Sequence, residues 1–128
     1  MRGAVVIAAA VLAAAACEEK PATDLAGKVA EGYYSLLKED AWTDFADGYH
    51  RPDSIPQGYR RQLAASVKMA EKEQRALHGS IAGVKAVRTV ADSTGGYAHV
   101  FLLVTREDST AEEILVPMVE RGGLWYMK

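Results

Sequence analysis

The chain has 128 residues, and its 15 lysines and arginines against 17 aspartates and glutamates leave a net charge of −2, which excludes an electrostatic binder of nucleic acid. This length accommodates one domain. Hydrophobic residues make up 49% and charged residues 25%, an ordinary globular composition, but about four in ten of the apolar residues are alanines or lie in an N-terminal apolar run, so the core is modest.

Met1-Arg2-Gly3 is a short basic start, and Ala4 to Ala16 is an unbroken apolar run of 13 residues. A bilayer span needs about 20, whereas this length suits the core of an export signal. Ala14, Ala15 and Ala16 then precede Cys17, and the chain turns charged at Glu18-Glu19-Lys20. Cleavage is expected between Ala16 and Cys17. Cys17 is the sole cysteine, so it has no disulfide partner within the chain. The run Val11-Leu12-Ala13-Ala14-Ala15-Ala16-Cys17 resembles the lipobox of bacterial lipoproteins, whose cysteine carries a diacylglyceryl thioether. That resemblance implies a signal peptide over residues 1–16, a lipid on Cys17, a short tether over residues 17–23, and a bacterial cell-envelope protein whose partner is the membrane. A plain secreted protein with an incidental thiol is the competing reading.

From Asp24 to Glu39, Ala26, Val29, Ala30, Tyr33, Leu36 and Leu37 recur at helical spacing and predict an amphipathic helix. Asp40 can cap a second, short helix over 41–48, with Trp42, Phe45, Ala46 and Tyr49 on one face. Ser54-Ile55-Pro56-Gln57 reads as a capping box that starts a long third helix. Its expected core stripe is Ile55, Tyr59, Leu63, Val67, Ala70 and Leu77, and His78-Gly79 ends it. The basic residues Arg60, Arg61, Lys68, Lys72 and Arg75 read as a solvated face, with Glu71 able to pair with Arg75 four residues on.

After Gly79 the period changes to two, and strands are predicted over 81–91, 97–105, 111–119 and 124–128, joined by turns short enough for antiparallel hairpins. The second strand is apolar on both faces and is expected to be covered on both. Pro117 lacks an amide donor, so it requires an outward edge or a bulge. Three helices followed by a four-stranded meander is an α+β arrangement, with the helices on one face of a curved sheet. The element order, with Tyr33-Tyr34-Ser35-Leu36-Leu37, Val116-Pro117-Met118-Val119 and Gly123-Leu124-Trp125-Tyr126, resembles the nuclear transport factor 2-like superfamily over residues 24–128. The resemblance implies a cone-shaped fold shared with ketosteroid isomerases and SnoaL-type cyclases. Its enzymes use a carboxylate or a His-Asp pair inside the cone, and no position here matches one.

Phosphate loops, zinc-protease signatures, paired cysteines and nucleophile elbows are all absent from the sequence, so no cofactor or metal is expected and no catalytic residue is assigned. His99 shares a strand face with Tyr97, where an imidazole beside a phenol could exchange a proton with a ligand. Tyr33, Trp42, Phe45, Tyr49, Tyr97, His99, Phe101 and Trp125 are the candidate lining of a pocket for a small hydrophobic ligand. The leading reading is a non-catalytic ligand-binding or interaction module. A small isomerase, dehydratase or cyclase using Tyr97 and His99 inside the cone is the alternative, and a homodimer through the sheet face is a third expectation.

Overall fold

The computed structural model describes residues 20–49, 56–92 and 95–128. The signal segment, Cys17 and Ser54-Ile55 of the expected capping box lie outside the described residues. Helix α1 spans Lys20–Ser35 and continues into a 3-10 turn over Leu36–Glu39; α2 is Trp42–Ala46 and α3 is Gln57–His78. Four strands follow: β1 Ile81–Ala91, β2 Tyr97–Arg106, β3 Ala111–Arg121 and β4 Leu124–Met127. They form one antiparallel sheet in chain order. The first helix therefore begins before Asp24, and residues 20–23, read as tether, are helical.

The side chains of β2 alternate cleanly. Ala98, Val100, Leu102 and Val104 are buried and pack with Ala26, Ala30, Leu37 and Phe45 from the helices and with Val116, Met118, Trp125 and Met127 from β3 and β4. Helix α1 crosses β1 and β2 closely. Small residues make this possible: a Cβ at Gly27 would stand 3.2 Å from Thr89 Oγ1 and 3.3 Å from Ala86 Cβ. The conformational cost of a glycine inside a helix, about 1 kcal/mol, is offset here by close approach to the sheet. Register shifts between Ile81 and Gly83 and between Ala86 and Arg88 bend β1. Glu31 on α1 serves the second of them, accepting from the Ala86 amide at 2.6 Å.

Pro117 meets its requirement. Residues 118–121 of β3 pair with β4, and beyond them the Pro117 carbonyl accepts from the Lys128 amide. Its nitrogen points to the same side, so the missing donor interrupts no bond to β2 and falls instead on the rung beside the end of β4.

Helix α3 departs from the sequence expectation. Tyr59 and Leu77, placed in the predicted stripe, are 53% and 69% exposed, and Ala70 is exposed as well. Of that stripe Val67 does pack against the core, and the residues that share its inward face are Arg60, Ala64, Glu71, Arg75 and His78, also at helical spacing. The physical reason lies in what this helix meets: it leans chiefly on α2, and acidic, basic and carbonyl groups receive it where apolar strands were expected. The outer face of β2 also differs from expectation. Phe101 and Leu103 are half-buried, Tyr97 and His99 are exposed, and no element among the described residues covers that face.

Candidate functional site

The eight candidate lining residues divide between the two faces of the sheet. Tyr33, Trp42, Phe45, Tyr49 and Trp125 lie on the helix side, in or against the main core. Phe45 is buried and meets Tyr34 edge-on at 5.1 Å and Tyr49 at 5.9 Å between ring centres. Burial pushes the Tyr34 phenol up to about 12 and also raises those of Tyr33 and Tyr49. These hydroxyls stay protonated at neutral pH, so they can donate to a ligand but cannot serve as bases. The buried Trp125 Nε1 has no hydrogen-bond partner among the described residues. Trp42 lies beneath the Arg75 guanidinium, 5.4 Å from the ring centre.

Tyr97, His99 and Phe101 stand on the opposite, outer face. The alternation that buries Ala98, Val100 and Leu102 against the helices turns these three outward, so a Tyr97–His99 pair inside the cone is not the arrangement of this fold. Phe101 lies under Arg88, whose guanidinium carbon is 3.8 Å from its ring centre and whose Nη2 approaches Glu113 at 3.6 Å. Tyr97 and His99 do come together, in a cleft of about 450 Å³ lined by Val90, Ala91, Asp92, Tyr97, Ala98, His99, Pro117, Met118 and Lys128. Two successive rungs of the sheet form it: Val90, His99 and Pro117 are partners across three strands, as are Ala91, Ala98 and Met118.

The polar edge of this cleft is organised around Tyr97. Arg121 Nη2 donates to the Tyr97 hydroxyl at 3.1 Å, and the Lys128 ammonium sits 5.0 Å from the ring centre. The Arg121 hydrogen bond, followed by its charge and that of Lys128, lowers the Tyr97 pKa, while Asp92 acts in the opposite direction. Among the described residues, none hydrogen-bonds the His99 ring and no cluster of ligands suits a metal ion.

The sequence reading missed a polar cluster at the far end of the molecule. Glu71, a buried acid on α3, receives both Arg106 Nη atoms at 2.8 Å and Arg75 Nε at 3.3 Å. Arg75 also donates to the Leu37 carbonyl and to Asp40, each at 2.8 Å. Arg60 makes a two-pronged pair with Asp47 at 2.6 and 2.7 Å. Thus the expected Glu71–Arg75 pair exists, but Arg60 and Arg75 are engaged rather than merely solvated. A cleft of about 280 Å³ beside the cluster is lined by Gln74, His78, Arg106, Thr110 and Glu112 among others. The available signal was the second helical spacing through Arg60, Ala64, Val67, Glu71 and Arg75, which carries charge at the positions a core stripe would make apolar.

No protein-family model matches the chain, and no curated protein matches it. Among solved structures, it is similar to the crystal structure of a protein from Campylobacter jejuni described as an NTF2-like transpeptidase. The TM-score is 0.62 at 9% sequence identity, and the match covers 78% of this chain and 94% of that one. At that identity the likeness concerns the fold and carries no activity across. The three helices and curved four-stranded antiparallel sheet give this chain an NTF2-like α+β fold.

Proposed function

We propose that the protein is a non-catalytic small-ligand-binding module held at the bacterial cell envelope by a lipid on Cys17. The observation that carries the binding role is the cleft of about 450 Å³, where the exposed side chains of Val90 and Pro117 stand over the strands at Ala91, Ala98 and Met118 and beside a few polar groups. That volume and that mixture of apolar wall and sparse polar contacts are typical of sites for small molecules. The anchor is supported by the apolar leader ending at the sole cysteine. Cys17→Ser is expected to move the protein from the membrane to the soluble fraction; an unchanged membrane fraction would remove the anchor from the proposal. For the binding role, His99→Trp should fill the cleft and abolish saturable uptake of a small apolar probe such as benzyl alcohol, whereas Leu77→Trp on exposed α3 should leave it unchanged. Equal uptake by both variants would refute it.

A second reading, an isomerase-, dehydratase- or cyclase-type enzyme, draws on the same cleft through Tyr97 and His99. Its support is the lowered Tyr97 pKa. A proton-transfer histidine is normally oriented by a hydrogen-bonded partner, and none among the described residues bonds His99, which favours the binding reading. A homodimer through the outer sheet face would cover Val90 and Leu115, both about half exposed, and light scattering on eluting protein would detect it.

A further inference from the structure

We infer that the cleft at Tyr97 selects small organic anions, a carboxylate on a compact apolar or aromatic body, over neutral and cationic ligands of the same shape. This rests on the binding-module reading above and specifies its ligand. The apolar part of the site is the Val90–His99–Pro117 rung, where Val90 is 48% exposed and His99 and Pro117 are also open to solvent. The charged part stands at one edge. Arg121 and Lys128 flank the same phenol, their cationic groups 5.4 and 5.0 Å from its ring centre. Among the described lining residues Lys128 is the cation and Asp92 the carboxylate, and Arg121, held against the Tyr97 hydroxyl, adds a second cation at that edge.

The cations are differently held, and each contributes differently. Arg121 is fixed at both ends of its fork, with Nη2 on the Tyr97 hydroxyl at 3.1 Å and Nη1 on the Glu120 carbonyl at 2.7 Å. Lys128 has its backbone amide on the Pro117 carbonyl, which pins its stem beside the cleft, while its ammonium meets only the face of Tyr97 among the described residues. Neither cation has a carboxylate within ion-pair distance there. A carboxylate entering over Val90 and Pro117 meets the Lys128 ammonium as a mobile charge and the Tyr97 hydroxyl as a donor, with Arg121 holding that hydroxyl in place. The apolar body then covers surface that is otherwise wet.

Titrating the full chain with sodium benzoate, benzyl alcohol and benzylammonium, and following the backbone amide resonances of His99, Ala98 and Met118, tests the inference. Benzoate is expected to shift these resonances saturably and to bind about tenfold tighter than benzyl alcohol, with benzylammonium weakest. Lys128→Gln and Tyr97→Phe should each bring benzoate close to benzyl alcohol while leaving benzyl alcohol itself nearly unchanged. Lys38→Gln, on the exposed 3-10 turn, controls for general charge and should preserve the preference. Equal binding of benzoate and benzyl alcohol in the unaltered protein would overturn the anion selectivity and leave the binding module standing. No saturable shift at these resonances with any of the three compounds would overturn both.

Discussion

Helices α1 and α3 are attached to the same body by opposite means. Helix α1 lies on the sheet through Ala26, Gly27 and Ala30, with no measurable exposure at either alanine, and it contributes Tyr33 and Tyr34 to the aromatic cluster. Helix α3 is six residues longer yet buries fully only Ala64 and Glu71, and it is tied down by guanidinium–carboxylate pairs. The difference teaches that apolar periodicity locates a helix's inner face only when the surface it meets is apolar. Where the receiving surface offers Asp40, Asp47, the Leu37 carbonyl and Arg106, the inner face is the charged one.

The largest expected effect comes from striking the ionic attachment at its centre. Glu71→Gln keeps the side chain's shape but leaves Arg106, itself only 11% exposed, without its counter-charge. Removing one member of a buried pair strands the other, and a loss of about 3 kcal/mol is expected in urea unfolding. A variant as stable as the parent would mean that α3 is held by something other than this cluster. Ala30→Leu strikes the apolar attachment instead: extra volume between α1 and the sheet should cost about 1–3 kcal/mol. Gly79→Ala comes next, at about 1–2 kcal/mol. Gly79 has φ +88°, and a Cβ there would stand 2.9 Å from Glu107 Cβ, so the end of α3 and the β2–β3 turn would have to part. By contrast Leu77→Ala, a substitution in the stripe predicted to be core, should change stability by no more than about 0.5 kcal/mol, because Leu77 is 69% exposed.

These contrasts also explain what was legible in the sequence. The four strands fall within two residues of their predicted bounds because each apolar run is closed by turn residues, and α1's stripe is the observed one because it meets an apolar sheet. Helix α3 holds two stripes of helical spacing that meet at Val67, the predicted one through Tyr59, Leu63, Val67, Ala70 and Leu77 and the observed one through Arg60, Ala64, Val67, Glu71 and Arg75. Only partners distant in sequence choose between them: Arg106 is 35 residues from Glu71. The inner face of β2 was ambiguous for a related reason, since Val100 and Leu102 are no more apolar than Phe101 and Leu103. Size carried the missing information. A face that receives Ala26, Gly27 and Ala30 at close range accommodates Ala98 and excludes Tyr97, and this is why Tyr97 and His99 form a cleft outside the cone.

The finest distinction between the two attachments is expected at the extremes of pH. On α1's side the group is Tyr34, which burial raises to about 12. Its folded pKa lies above the unfolded value of 10.0, so its contribution is complete below pH 10 and is lost as pH rises toward 12. On α3's side the group is Asp108, which bonds Thr110 Oγ1 at 2.6 Å and the Thr110 amide at 2.9 Å, and whose other oxygen meets His78 Nδ1 at 2.8 Å. Those bonds, the Thr110 side chain's first, lower its pKa to about 2, so its contribution is present above the unfolded value of 3.8 and fades as pH falls toward 2. Hydrogen exchange should therefore loosen the His78 end of α3 and the β2–β3 turn first under acid, and the Tyr34 region of α1 first under alkali. Asp108→Asn should abolish the acid-dependent step and leave the alkaline one unchanged. Simultaneous loosening of both helices in acid would show that the two attachments fail as one unit, and the contrast between them would then be one of chemistry without independent stability.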